Sequence, residues 1–343
     1  MKLYTIILAT LILLWSCSEN KTQEGLSKLF QTTINVKTVS CASVHGNDLL
    51  NPRMLAIDSA NFYFYDKGAD SMLVVIDKQN GHKKHFLAKG QGPKDAISIE
   101  SLSAANNNVY IYNSSLQKVL YYNTATSCIN IDTALSSTIT NKVLSTSFAF
   151  DSALTIFPIL NDDNRFIIKT QDKEVAFGKI DPTDEYSSIN YGWLLQPVIN
   201  VSPPQKRVFW GSGVGNAYGI YDYSDLNNIK PICSQLYEMP ITDETLDFTS
   251  ETQMGILSVT SSNDFVFALF SGKLIGSILR NLIDQDKLTL ANNILVFDWE
   301  GNPIKRIVVD HELRDIYYDK YNNKLYGIEL NGEYSLCSIP LEL

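Results

Sequence analysis

One unit recurs along this chain and restricts its architecture more than any other feature. It is an apolar strand, a polar turn, and a second strand alternating aromatic and aliphatic residues. The first copy runs Leu55-Ala56-Ile57-Asp58, turn Ser59-Ala60-Asn61, then Phe62-Tyr63-Phe64-Tyr65. The second has Leu102-Ser103-Ala104, turn Ala105-Asn106-Asn107, then Val109-Tyr110-Ile111-Tyr112. A looser third pairs Phe148-Ala149-Phe150-Asp151 with Leu154-Thr155-Ile156-Phe157. The fourth is Val198 to Val201 followed by Arg207-Val208-Phe209-Trp210, and the fifth Ile256 to Val259 followed by Phe265-Val266-Phe267-Ala268. The sixth is Ile316-Tyr317-Tyr318-Asp319, turn Lys320 to Asn323, then Lys324 to Ile328.

These units recur at intervals of about 45 to 60 residues, which suits four-stranded blades with loop insertions. Second hairpins support this. Val74 to Asp77 turns through Gln79-Asn80-Gly81 into Lys84 to Leu87, and Leu295 to Asp298 through Glu300-Gly301-Asn302 into Ile304 to Val308. Glycine in such a turn supplies the positive φ of a tight hairpin. The reading is all-β: a six-bladed β-propeller over residues 32–343.

The last blade is one strand short, with strands expected near Leu313–Tyr318, Lys324–Glu329 and Tyr334–Ile339. Thr33 to Val39 supplies the missing strand from the other end, closing the ring and removing an open edge. That arrangement would bring Cys41 toward Cys337, as a disulfide or as two free thiols. Cys128 and Cys233 complete the set besides Cys17, and no CxxC spacing suggests zinc.

The first residues read as an export signal. Lys2 precedes the apolar run Leu3 to Leu14, too short to span a bilayer, and Ser16 precedes Cys17. Leu14-Trp15-Ser16-Cys17 resembles a bacterial lipobox, with Trp15 where that pattern has a smaller residue. The expectation is a signal peptide over 1–16, lipidation of Cys17, and a tether over 17–31 that opens with polar Ser18-Glu19-Asn20-Lys21. The protein would then sit in the cell envelope, lipid-anchored on the periplasmic face of the outer membrane or at the cell surface. The net charge of −9 becomes −10 once Lys2 is removed, and no Lys/Arg cluster suits a phosphate backbone, which argues against nucleic acid.

Several segments resemble the six-bladed TolB-like propeller lipoproteins of Bacteroidetes. Gly90-Gln91-Gly92-Pro93-Lys94-Asp95 is similar to that family's Gly-x-Gly-Pro-Gly-Glu, with Lys94 for the third Gly and Asp95 for Glu. Phe267 to Lys273 followed by Ile294 to Pro303, and the closing unit Ile316 to Ile328, extend the likeness over essentially the whole mature chain. The resemblance implies the fold and the envelope location, and no catalytic activity.

The search for chemistry returns little. His82 and His85 lie on a hairpin arm, where a spacing of three puts them on opposite faces. Gly211-Ser212-Gly213-Val214-Gly215 looks like a phosphate loop but leads into a strand, so a hairpin connection is expected. Asn161-Asp162-Asp163-Asn164 lacks full EF-hand spacing and reads as a turn. No metal or cofactor is expected. Two insertions, Asp184 to Gln196 and Ser271 to Asn292, interrupt the repeat; the second holds a helix-like run from Leu274 to Ile283. Insertions of this kind often mark a binding face. Tyr191 and Trp193 in the first, with Trp210 beyond it, are the candidate ligand-binding aromatics, core packing being the other reading of each. The functional expectation is a non-enzymatic envelope lipoprotein that binds a peptide, glycan or protein partner through one propeller face. The alternative is a propeller hydrolase or lyase with side chains assembled in the channel.

Overall fold

The computed structural model describes residues 25–44, 48–105, 107–139, 149–150, 154–159, 164–179, 197–237, 241–242, 245–246, 249–276 and 289–341. Cys17, Tyr191, Trp193 and most of the helix-like run lie outside the described residues. Alternating apolar strands and Asp- or Asn-headed turns produce consecutive antiparallel meanders. The first sheet joins Pro52–Ile57, Asn61–Asp66, Ser71–Asp77 and Lys83–Ala88. The second joins Ser101–Ala105, Asn108–Asn113, Lys118–Asn123 and Cys128–Asp132, followed by a short helix, Thr133–Ile139. The third joins Ala149–Phe150, Leu154–Pro158, Asn164–Thr170 and Glu174–Lys179, and the fourth Val198–Ser202, Arg207–Gly211, Asn216–Asp222 and Lys230–Tyr237.

A two-stranded ladder, Ile241–Thr242 with Thr245–Leu246, follows, and the other strands form one eight-stranded sheet. Ile256–Ser261, Phe265–Phe270 and Ala291–Asp298 lead into the 17-residue strand Pro303–Asp319, then Lys324–Asn331 and Glu333–Ile339. Ala291–Asp298 pairs chiefly with the first part of the long strand and Lys324–Asn331 with the last part. The sheets are arranged as a propeller around a channel. Each of the six predicted strand–turn–strand units is a pair of hydrogen-bonded strands.

Strand ends explain why Asp and Asn punctuate the sequence. The Asp58 carboxylate accepts from the N–H groups of Ala60 and Asn61, Asp77 from Gln79 and Asn80, and Asp298 from Glu300 and Asn302. Each is an Asx-type turn whose side chain satisfies donors that the sheet leaves unpaired. Gly81 and Gly301 take φ of +70° and +87° in their turns, as the hairpin chemistry requires. Ser212–Gly215 links two strands of the fourth sheet, as expected.

The N-terminal segment closes the ring, but in two pieces. Val39–Ser40 pairs antiparallel with Glu333–Ile339, with Ser40 opposite Cys337. Thr33–Val36 instead runs parallel to the first part of the long strand, with Thr33 opposite Arg306 and Val36 opposite Val309. Upstream, Gly25–Leu29 form a 3-10 turn, with Leu26 and Phe30 buried.

The Cys41–Cys337 disulfide is not formed; both are free thiols. Register is the reason. Cys337 opposes Ser40, so Cys41 lies one residue on and faces the other side of the sheet. Cys41 packs with Leu336 and Ile328, whereas Cys337 packs with Ile316, Leu325 and Ile339.

Candidate functional site

Each meander's first strand is the innermost. In the four-stranded sheets it is paired on one side only, so its other edge looks into the channel. Side chains from neighbouring sheets satisfy part of that edge. Leu55 N donates to Asp315 Oδ2 at 2.7 Å, joining the first sheet to the long strand. Asp315 also accepts from its neighbour Ile316 N at 2.9 Å and from Ser258 Oγ. Tyr318 N donates to Thr260 Oγ1 at 2.9 Å, and Ser261 Oγ bonds Asn200 Oδ1. Polar side chains therefore tie the inner strands 198–202, 256–261, 313–319 and 52–57 in sequence around the channel.

The channel encloses about 1190 Å³. That exceeds the roughly 300–1,000 Å³ of ordinary small-molecule pockets and leaves room for several units of a chain-like ligand. Its wall is mostly amide, hydroxyl and backbone groups, with Ser103, Asn108, Asn200, Ser258 and Thr260 among them, and with Tyr317 and Tyr318. Three cationic side chains, Arg53, Arg314 and Lys320, face four acids, Asp58, Glu100, Asp264 and Asp315. Many of these charges have partners within the protein. Asp58 accepts the Tyr63 hydroxyl at 2.5 Å, Glu100 accepts Ser114 N at 2.8 Å, and Arg314 lies over the Tyr334 ring at 4.9 Å. Burial, reinforced by the Asp58 carboxylate, pushes the Tyr63 phenol far above its ordinary value, so it remains a donor. Asp315 lies deep in the molecule with part of its side chain against the channel. Burial raises its pKa to about 6, against the lowering effect of its hydrogen bonds.

At the rim, Tyr321 is the exposed aromatic, with 54% of its surface accessible. Lys320 Nζ lies 5.4 Å and Lys78 Nζ 6.0 Å from its ring centre. Among the described residues that line the channel there is no histidine and no cysteine.

Trp210, a candidate from the sequence, is a core residue. It is 1% exposed, packs 6.2 Å from Phe166, and carries the Arg165 guanidinium 5.4 Å from its ring. Its position within Arg207–Gly211, beside the innermost strand of the fourth sheet, turns it into the space between sheets and leaves no face for a ligand. The connection that carries Tyr191 and Trp193 leaves the third sheet after Glu174–Lys179 and enters the fourth at Val198–Ser202. Asp315, Thr260 and Tyr321 escaped sequence reading. A signal existed for Tyr321, the one ring in first turns otherwise made of small and polar residues. For Asp315 it was a charged pair, Arg314-Asp315, opening an apolar strand.

Residues 76–320 match the protein family described as TolB-like 6-blade propeller-like. No curated protein matches the sequence. Among solved structures, a member of the DUF4221 family from Bacteroides vulgatus is similar in fold, with a TM-score of 0.55 at 9% identity over 89% of this chain and 95% of that one. The structure of U3-55K gives 0.47 at 11% identity over 84% of this chain and 80% of that one.

Proposed function

The chain belongs to the TolB-like 6-blade propeller-like family, and from that premise we propose a non-enzymatic binding protein of the cell envelope that receives its ligand in the channel mouth. In this reading the eight-stranded sheet is two blades fused through Pro303–Asp319, which brings the blade count to six. The Leu14-Trp15-Ser16-Cys17 segment supports export and lipidation at Cys17. The partner is a peptide, a glycan or an envelope protein.

The observation that carries the binding reading is the composition of the channel wall. It offers many neutral donors and acceptors over about 1190 Å³, while charged groups such as Asp58, Asp315 and Glu100 are engaged within the protein. Such a wall suits recognition of a polar, extended ligand. A hydrolytic site needs a base or metal held close to a reacting atom. Peptide and glycan arrays and a pull-down from envelope extract, each probed with the mature protein and with a Ser103→Trp variant that narrows the channel, test this. Hits that vanish in the variant are expected. Hits that survive it would place recognition elsewhere, and no hit on either array together with no partner in the pull-down would overturn the proposal.

A further inference from the structure

The N-terminal segment and the channel mouth lie at opposite ends of the propeller. Antiparallel strands reverse at every step, so a meander's first turn lies at one end and its second connection at the other. The channel wall includes first-turn residues from five units, among them Ser59, Asn107, Pro203, Asn263 and Tyr321. Of the described connections at the other end it includes only Glu100. The channel therefore opens among the first turns.

Gly25 sits at the other end. Leu26 N donates to Asn216 Oδ1 at 3.3 Å. A Cβ on Gly25 would come within 2.5 Å of that oxygen and 2.6 Å of Gln253 Oε1. Asn216 follows the second connection of the fourth sheet, and Gln253 precedes the inner strand Ile256–Ser261, which puts both opposite the first turns. The chain is fixed there: Leu26 is 1% exposed.

We propose that the lipid on Cys17 holds the propeller with this end toward the bilayer and the channel mouth away from it. The channel's ligand is then a soluble molecule arriving from the aqueous side, not a lipid headgroup. The inference rests on the lipidation reading of Cys17 given above. Chain length supports the orientation. Eight peptide steps join Cys17 to Gly25, at most about 29 Å when fully extended and about 16 Å as a flexible chain. Reaching the mouth end means crossing the outer strand, about 5 Å, then passing a blade about 20 Å tall and its turns. That consumes the extended length and far exceeds the flexible one.

Amide exchange on the lipidated full chain tests this, comparing vesicles of phosphatidylethanolamine and phosphatidylglycerol with detergent. In vesicles, exchange is expected to slow about two-fold or more at the exposed connections 67–70 and 114–117, and to stay unchanged at 58–60, 205–206 and 320–323. Slowing at the second group, or at neither, overturns the orientation. Intact mass separates the two readings: a chain without diacylglycerol on Cys17 ends the anchor reading and the orientation with it.

Discussion

Lys78 Nζ lies 2.7 Å from Asp319 Oδ2 and fastens the first sheet to the end of the long strand Pro303–Asp319. Lys78 also donates to the Asp58 carbonyl, while the other Asp319 oxygen accepts Tyr321 N at 3.0 Å. Neither partner is open to water: the side chains are 13% and 0% exposed. Replacing Lys78 by Met leaves the Asp319 carboxylate buried beside apolar atoms. The expected loss is about 3 kcal/mol, read as a lowered midpoint in urea unfolding at pH 7. An unchanged midpoint would mean that the ion pair contributes no net stability.

Asp315 gives a pH signature. Its folded pKa stands above the ordinary 3.8, at about 6. Between those values the native protein holds a proton that the unfolded chain has released, so this group's contribution is complete below 3.8 and is lost as pH rises through 6. The stability of the wild type relative to Asp315→Asn should fall by about 2 kcal/mol between pH 4 and pH 7, less than the full shift because channel water reaches the group. Urea titrations of both proteins at the two pH values measure it, and a gap independent of pH rules it out.

Gly255 leaves no space for a side chain. A Cβ there would press into the backbone oxygens of Ser212 and Gly215, where the connection into the fifth inner strand passes the fourth sheet. Gly255 N already donates to Gly213 O at 2.9 Å, so the contact cannot simply open. Gly255→Ala should cost about 2 kcal/mol. Thermal unfolding reads this as a lower Tm, whereas Gly332→Ala, with nothing within 4 Å but a φ of +77°, isolates the cost of backbone strain alone.

The four described cysteines differ in exposure. Cys128 is exposed, Cys41 and Cys233 are half-buried, and Cys337 is buried. Burial, then the nearby Glu329 carboxylate, pushes the Cys337 thiol far above its ordinary range. In the native protein a maleimide should therefore modify Cys128 first and Cys337 last. After unfolding without reductant, all four should react, and mass spectrometry that finds Cys41 joined to Cys337 would contradict the register of their strands.

Much of the fold was legible in the sequence because its signals are local. Alternation in Phe62 to Tyr65 or Val109 to Tyr112 marks a strand whichever sheet it joins, and Asp58 or Asp298 marks the turn that it caps itself. The closing role of the N-terminal segment was legible for the same reason: a strand was missing at one end and spare at the other. That Thr33–Val36 would pair in parallel with Arg306 to Val309 was not legible, since parallel pairing leaves no turn in the sequence. The site was less readable still. Asp315, Ser258 and Leu55 meet only once separate sheets are set around one axis. For Trp210 both readings stayed open in the sequence, because an aromatic after an insertion looks the same there whether it faces solvent or a neighbouring sheet.

The two-residue strand Val39–Ser40 has a consequence for how the protein comes into being. Its partners, Cys337 and Ser338, are made long after it, and Ser338 Oγ donates to Val39 O across 299 positions. A growing chain can form its early sheets one after another, each from neighbouring residues. It cannot fasten the ring until Glu333–Ile339 has been made, because closure over so long a loop comes after the local contacts. Until then Val39–Ser40 lacks its partner strand, and the growing domain is open to proteases and to pairing with another chain.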